Sequence, residues 1–327
     1  MSKPLITDLS AGDKVSAPFV IRGMSLVPFR DPQKGKYLNL ALGDCSGEIV
    51  ARLWDKAEEA AGQVASGQVA MVTGRVDEYQ GRLQVIVQAI RPARPDEYDM
   101  SDFVAASPRD PAEMLAQLQA NIAEVTNPHL QALLQLLFGD EELLARFAAT
   151  PAAKTLHHAY RGGLLEHTLN VVELVKKAAE LHPLLDRDLL ITAGLLHDFG
   201  KIYELAGELA YEYSDEGSFV GHVVLTDRLL TAKIAAIEGF PLHLANLLSH
   251  AVLSHHGQRE WGAPVLPVTP EACALHYADN LDARVQGFET IIARYQGQAD
   301  RWSPYHPFFE RRIFVGSDEA EEEEPGA

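Results

Sequence analysis

Residues 189–203, LLITAGLLHDFGKIY, run as an apolar helix into a polar end: His197 and Asp198 close it, then Gly200 and Lys201 follow. Leu190, Ala193, Gly194 and His197 recur at helical spacing on one stripe, which directs the imidazole into an otherwise apolar interior. Burying an imidazole beside a carboxylate is costly unless both find partners. A divalent cation satisfies them together, because it takes neutral nitrogen and anionic oxygen in one coordination sphere. A single His-Asp pair reads more readily as a hydrogen-bonded core histidine, so its weight depends on the rest of the chain.

Four further helical stretches carry the same anomaly. In 164–181, Leu164, His167, Val171 and Leu174 share a stripe; in 219–237, His222 precedes Leu225 and Leu229. In 242–256, Leu244, Leu248, Ala251 and His255 line up, and His256 follows directly. In 271–283, Asp279 lies two helical turns beyond Ala272, with Thr269 and Pro270 as a helix start. Separately, His167, His197, Asp198, His222, His255, His256 and Asp279 are each explicable as satisfied core groups. Together, on five apolar helices, they leave too many buried polar atoms unless a metal centre joins them. Lys201, four residues past His197, reads either as a helix-end lysine or as a cation that neutralises phosphate oxygens. His129 reads as a surface residue and His243, His250, His276 and His306 as structural, with His157 and His158 left open.

The order His167, His197-Asp198, Asp279 resembles the HD phosphohydrolase superfamily, an all-helical metal-dependent fold. HDFGK is similar to its central motif, ADNLDA to its closing aspartate segment, and His222 with His255-His256 to the extra histidines of its two-metal branch. The run HHAYRGGLLEHT, with HDFGK, GHVV and SHHG, resembles the YhaM-type 3′–5′ exoribonucleases, most strongly from His157 to about Arg284. That resemblance implies hydrolysis of single-stranded RNA, and of DNA as a further substrate, from the 3′ end by a metal-activated water. It implies two ions held by the seven residues above, Asp198 bridging them, and Asp198 and Lys201 as catalytic groups. Mixed His/carboxylate ligation suits Mn²⁺ first, with Fe²⁺, Co²⁺ or Ni²⁺ as alternatives, over a thiolate-seeking metal. Tyr160, Arg161 and Arg284 are candidate phosphate or base contacts. Rival readings are a phosphodiesterase for a cyclic or small nucleotide, a di-iron oxygenase on the same fold, and a non-catalytic RNA-binding protein. Against the cyclic-dinucleotide branch, no GYP tripeptide follows the HD segment.

The N-terminal third has a different rhythm. Residues 16–22, 36–42, 48–54, 68–76 and 82–90 read as short strands, with a helical insertion at 55–65 between the third and fourth. Five strands with a helix at that place is the order of an OB-fold barrel, whose second and third strands carry single strands of nucleic acid. Tyr37 and Trp54 lie on or beside those strands, with Phe29, Arg30, Lys34 and Lys36 in the preceding loop and Arg75, Tyr79 and Arg82 near a later turn. They are read here as base-stacking candidates, the alternative being that Tyr37 and Trp54 fill the barrel core.

The expected chain is therefore multidomain, α and β: a small N-terminal OB-fold β-barrel over 1–95 and an all-α HD-superfamily domain over 151–316. Residues 96–150 are expected to be a linker and helical connector, with Asp110 capping a helix that starts at Pro111. Residues 317–327 form an acidic tail expected to be disordered. The aromatics Trp302, Tyr305, Phe308 and Phe309 are read as packing against the barrel, the alternative being a lid.

The net charge of −18 disfavours unspecific binding of polyanions, but it is unevenly spread. Residues 1–100 hold 12 Lys/Arg against 13 Asp/Glu, while 101–327 hold 16 against 33, so the barrel is nearly neutral. A local basic groove is still compatible with this balance. The apolar runs are too short to span a membrane, and the start MSKPLITDLS lacks a signal-peptide layout. Cys45 and Cys273 have no metal-site spacing and are expected to be reduced. A cytoplasmic enzyme is expected, with homo-oligomerisation left open.

Overall fold

The structure is a computed structural model that describes residues 5–29, 31, 35–79, 81–154, 156–207, 211–297 and 300–316. Arg30, Lys34 and the acidic 317–327 segment lie outside the described residues. The chain divides into two compact units, Met1–Ala106 with Ala206–Glu212, and Ser107–Leu205 with Tyr213–Ala327.

The first unit is built on five strands: β1 (Lys14–Pro28), β2 (Lys36–Gly43), β3 (Glu48–Leu53), β4 (Val69–Tyr79) and β5 (Arg82–Pro92). They close into a barrel in the order β1-β2-β3-β5-β4, antiparallel throughout except where β3 meets β5. Helix α1 (Ala57–Ala61) stands between β3 and β4, the position expected for an OB-fold. Period-two alternation fixes which face is inside: Leu38, Leu40 and Leu42 of β2 are buried, while Tyr37, Asn39 and Ala41 between them are not. Phe19, Ile21, Ala51, Val72 and Val85 complete the same core. Register shifts at Ile21/Gly23 and Thr73/Gly74 bend the two long strands, as closure of a small barrel requires. At the second of these a side chain on Gly74 would run into the Ile86 carbonyl.

This unit continues past residue 95, the boundary expected from the proline-rich sequence. Phe103 is fully buried against Val20 and Val69, and the Arg22 Nη2 donates to its carbonyl at 3.1 Å. The chain therefore leaves the barrel unit at Ala106.

The second unit is helical: α2 (Pro111–Glu124), α3 (Pro128–Phe138), α4 (Glu141–Ala149), α5 (Gly163–Leu181), α6 (Arg187–Leu196), α7 (Lys201–Glu204), α8 (Asp215–Val220), α9 (His222–Ile234), α10 (Leu242–Ser254) and α11 (Pro270–Tyr295). Their starts follow side-chain chemistry. The Asp110 carboxylate accepts from the Ala112 and Glu113 amides ahead of α2, and Asn127, Asp140 and Asp186 cap α3, α4 and α6 likewise. Thr269 caps α11 and Pro270 opens it.

Helices α2 to α4 are not a connector. Leu118, Leu130, Leu133 and Phe147 share one core with Leu165, Leu169, Leu190 and Leu195 of α5 and α6. Each such side chain contributes roughly 1.5–3 kcal/mol by burial, so these three helices fix the frame on which the polar residues stand. His129, expected at the surface, is half-buried with its ring against Phe240. The late aromatics divide: Phe309 is buried on Phe288, whereas Trp302, Tyr305 and Phe308 are exposed. No helix of the described residues is long and apolar enough to cross a membrane.

Candidate metal centre

Close packing at one glycine shapes the centre. Helix α6 stops at Leu196, and the His197 amide still donates to the Ala193 carbonyl at 2.8 Å. The chain then turns through Asp198, Phe199 and Gly200 before α7 resumes at Lys201, so the helix does not run through Gly200 unbroken. Phe199 anchors this turn by packing on Phe147 and Phe138, with ring centroids at 5.0 and 5.4 Å. A Cβ at Gly200 would collide with the His222 carbonyl and lie 2.7 Å from the Thr226 amide. With only hydrogen there, the Gly200 amide reaches Thr226 Oγ1 at 2.8 Å, and the start of α9 lies beside Asp198. A second corner works the same way. Gly257 has φ +76°, and the His276 ring fills the space a side chain would need. His276 Nδ1 donates to the His255 carbonyl at 2.8 Å and holds the His255-His256 turn.

All seven expected ligands converge. His167 comes from α5, His197 and Asp198 from the turn after α6, His222 from α9, His255 and His256 from the end of α10, and Asp279 from α11. Four of the five histidine rings, all but His256, are tied down from behind at Nδ1 among the described residues. His197 Nδ1 meets the Gly194 carbonyl at 2.8 Å and His255 Nδ1 the Val252 carbonyl at 2.6 Å. A carbonyl can only accept, so those two rings carry hydrogen on Nδ1 and a lone pair on Nε2. His167 Nδ1 lies 2.6 Å from Asp282 Oδ2, and His222 Nδ1 lies 2.9 Å from both oxygens of Glu204.

The Nε2 atoms consequently face inward in two groups. Those of His167 and His197 are 3.3 Å apart, with Asp279 Oδ1 3.2 Å from the first and 3.9 Å from the second. Those of His222 and His256 are also 3.3 Å apart. Asp198 spans the two groups. Its Oδ2 lies 3.5 and 3.4 Å from His167 and His197 Nε2, and its Oδ1 lies 3.3 and 3.6 Å from His222 and His255 Nε2. Asp198 Oδ1 and His255 Nε2 are buried with no hydrogen-bond partner among the described residues. Lone-pair atoms of this kind, converging without donors between them, fit divalent cations and fit little else.

The electrostatics agree. Burial pushes His255 well below the ordinary imidazole value, and burial with His222 nearby lowers His256 to about 4, so both stay neutral donors. Burial alone would raise the Asp198 carboxyl; Lys201 and His197 outweigh it and hold the group well below the carboxylate range. Burial opposes a charge on His167, but Asp279 and Asp282 overcome it and raise the ring to about 10. The two carboxylates thus favour positive charge at this ring. Lys201 Nζ donates to Asp198 Oδ2 at 2.6 Å and is itself buried.

A cleft of about 470 Å³ opens onto these groups, with Lys201, His157, Asp279, Trp261, Arg284 and Phe308 among its walls. Arg284 is where a substrate contact was expected. Tyr160 and Arg161 are not. The Tyr160 hydroxyl donates to Glu166 at 2.9 Å and touches His158 Nδ1 at 2.8 Å, while Arg161 is exposed and neither lines the cleft. In the barrel unit, Trp54 is 45% exposed and Tyr37 is half-buried with its ring 5.3 Å from Phe29; neither belongs to the barrel core. Another hollow, about 510 Å³ between α5 and α11, is walled by Leu174, Leu184, Tyr277 and Leu281 and gathers no ligating cluster among the described residues.

Sequence reasoning missed Asp282, Glu204 and Trp261, and left His158 open. Asp282 was within reach, since it lies one turn beyond Asp279 on the same helix. Buried His158 bonds Asp282 through Nε2 at 2.9 Å, and its φ of 45° gives no local sequence signal.

Residues 164–284 match the HD domain family, and residues 26–93 match the OB-fold nucleic acid binding domain family. Among solved structures, the second OB-fold domain of replication protein A from Methanococcus maripaludis aligns with 28% of this chain and 96% of its own, at 22% identity and a TM-score of 0.24. Two curated relatives named 3′-5′ exoribonuclease YhaM align over 263 residues: that of Shouchella clausii at 36% identity and that of Halalkalibacterium halodurans at 37%. Each alignment covers 80% of this chain and 81% of the relative. On that identity and coverage, the chain belongs to the YhaM 3′-5′ exoribonuclease family.

Proposed function

We propose that this chain is a metal-dependent exoribonuclease that removes nucleotides from the 3′ end of single-stranded RNA, with single-stranded DNA as a second substrate. The observation that carries the chemistry is Asp198, whose two oxygens face separate groups of inward Nε2 atoms. Its kinship with the YhaM enzymes supports the RNA substrate and the direction of attack.

Two divalent cations in these cradles, Mn²⁺ foremost, would supply an activated water and stabilise charge at a phosphodiester. The protein's own groups do the remaining work. Asp282 and Glu204 fix the rings of His167 and His222 so that their Nε2 atoms keep facing the centre. Lys201, on the cleft wall beside Asp198, offers a buried ammonium where negative charge builds on the non-bridging oxygens. Trp54 and Tyr79 are exposed on the barrel, and the Arg52 guanidinium lies over the Tyr79 ring at 5.8 Å. These groups would hold successive bases by stacking, with little preference for sequence. A cytoplasmic setting is part of this reading.

The test is incubation of Mn²⁺-loaded protein with 5′-labelled single-stranded RNA, alongside a cyclic dinucleotide. A ladder of labelled products shortening step by step supports the proposal. Intact RNA with a cleaved dinucleotide would move the chain to the small-nucleotide phosphodiesterases.

A further inference from the structure

We propose that Trp261, Arg284 and Phe308 form a clamp at the mouth of the metal cleft that grips the terminal nucleotide of the substrate, the rings taking its base and the guanidinium its phosphate. This deepens the exoribonuclease reading and rests on it for the identity of the strand.

Three observations carry the clamp. The first is exposure: Trp261 is 44% and Phe308 54% exposed, and both line the same cleft as Asp198 and Lys201. Large rings left open to water beside a reactive centre are costly to keep and mark a binding surface. The second is the guanidinium. Arg284 Cζ lies 5.6 Å from the Trp261 ring centroid and 5.8 Å from that of Phe308, so one cation lies over both rings. The third is what this arginine does not do. Its Nε donates to Asn280 Oδ1 at 2.7 Å, one turn back along α11, which fixes the plane of the group. Its Nη atoms have neither a hydrogen-bond acceptor nor a carboxylate partner among the described residues. A half-buried arginine with a fixed plane and idle Nη donors, five residues from Asp279, suits bidentate capture of a phosphate.

Rings with a guanidinium, set beside a cation cradle, match a nucleotide better than a purely apolar ligand, which would leave the Arg284 Nη donors unpaired. A cleft of about 470 Å³ falls in the ~300–1,000 Å³ range of small-ligand sites, so it suits an end of a strand and not a length of duplex. The barrel aromatics would then hold the body of the strand by a separate set of contacts.

The experiment compares binding of adenosine 5′-monophosphate and ribose 5-phosphate to metal-loaded full-length protein by calorimetry. The two ligands share a phosphate and differ in the base. The clamp predicts that the nucleotide binds roughly five- to hundred-fold more tightly, the range of one stacked base. In a Trp261→Ala, Phe308→Ala double variant that gap should close, with the affinity for ribose 5-phosphate retained. Trp261→Phe should keep most of the gap, and Arg284→Ala should weaken both ligands. Equal affinities in the unmodified protein, or a gap that survives loss of both rings, would overturn the clamp. The RNA digestion described above, run on the same preparation, separates the two ideas: a nucleotide gap in a protein that leaves RNA intact upholds the clamp and removes the exoribonuclease reading.

Discussion

Asp282 accepts the Nδ1 proton of His167 at 2.6 Å and so turns the Nε2 of that ring towards Asp279 and Asp198. The same carboxylate takes His158 Nε2 at 2.9 Å and, on its other oxygen, Asn170 Nδ2 at 2.9 Å. Burial works against the charge, yet the bonds from His158 and His167 hold Asp282 well below the ordinary carboxylate range. Glu204 plays the matching part for His222, bonding both its backbone amide and its Nδ1. Each half of the centre therefore has its own carboxylate behind it.

Asp282→Ala and Glu204→Ala are each expected to weaken metal binding by about 10- to 100-fold, the usual cost of losing such a partner. The loss should fall on different ions: Asp282 on the His167–His197–Asp279 side, Glu204 on the His222–His256 side. Chelator competition with metal analysis checks this. Unchanged affinity for both ions in both variants would refute the arrangement.

His197→Ala and Asp198→Ala are expected to bring RNA hydrolysis to background while circular dichroism still reports a folded helical unit. The apolar core of Leu165, Leu169, Leu190 and Leu195 is independent of these side chains. Asp198→Ala should be the more severe for metal content, since its oxygens serve both halves.

Gly200→Ala should destabilise the helical unit by roughly 1–3 kcal/mol, the usual range for forcing a methyl into a packed site. The added carbon would meet the His222 carbonyl and sit 2.7 Å from the Thr226 amide, so α9 must retreat and carry His222 with it. Thermal unfolding and metal content, measured on one sample, should fall together. A variant with normal stability and normal metal content would show that this contact is unimportant.

Trp54→Ala is expected to weaken binding of single-stranded RNA by about 1–3 kcal/mol. Because the side chain stands 45% exposed and outside the barrel core, thermal stability should change by no more than about 0.5 kcal/mol. A large drop in melting temperature with intact RNA affinity would assign the ring to packing instead.

The seven converging residues were legible in the sequence because each breaks a local pattern: a histidine or aspartate on an apolar stripe is conspicuous at helical period, as with His167 between Leu164 and Val171. The barrel was legible for the same reason at period two, and Leu38, Leu40 and Leu42 do face inward. Asp282 and Glu204 were not, because an acidic residue on a helix reads by default as solvated. Their partners are far away in sequence, 115 positions for Asp282 and His167. Helices α2 to α4 show amphipathic patterns that do not say whose core they join, so they passed for a connector. Tyr160 and Arg161 were chosen for closeness in sequence to His167, and the αL turn at Gly162 (φ +81°) separates them from α5. The Trp261–Arg284–Phe308 group draws on three separate segments, and no single stretch announces it.

The most direct test of a centre shared through Asp198 is a titration of metal-stripped protein with Mn²⁺, with bound metal and the rate of RNA digestion measured in the same samples. Two equivalents should bind per chain, digestion should rise with the second, and Asp198→Ala should lose both responses. Full digestion with one equivalent bound, or a normal rate in the presence of a strong chelator, would contradict it.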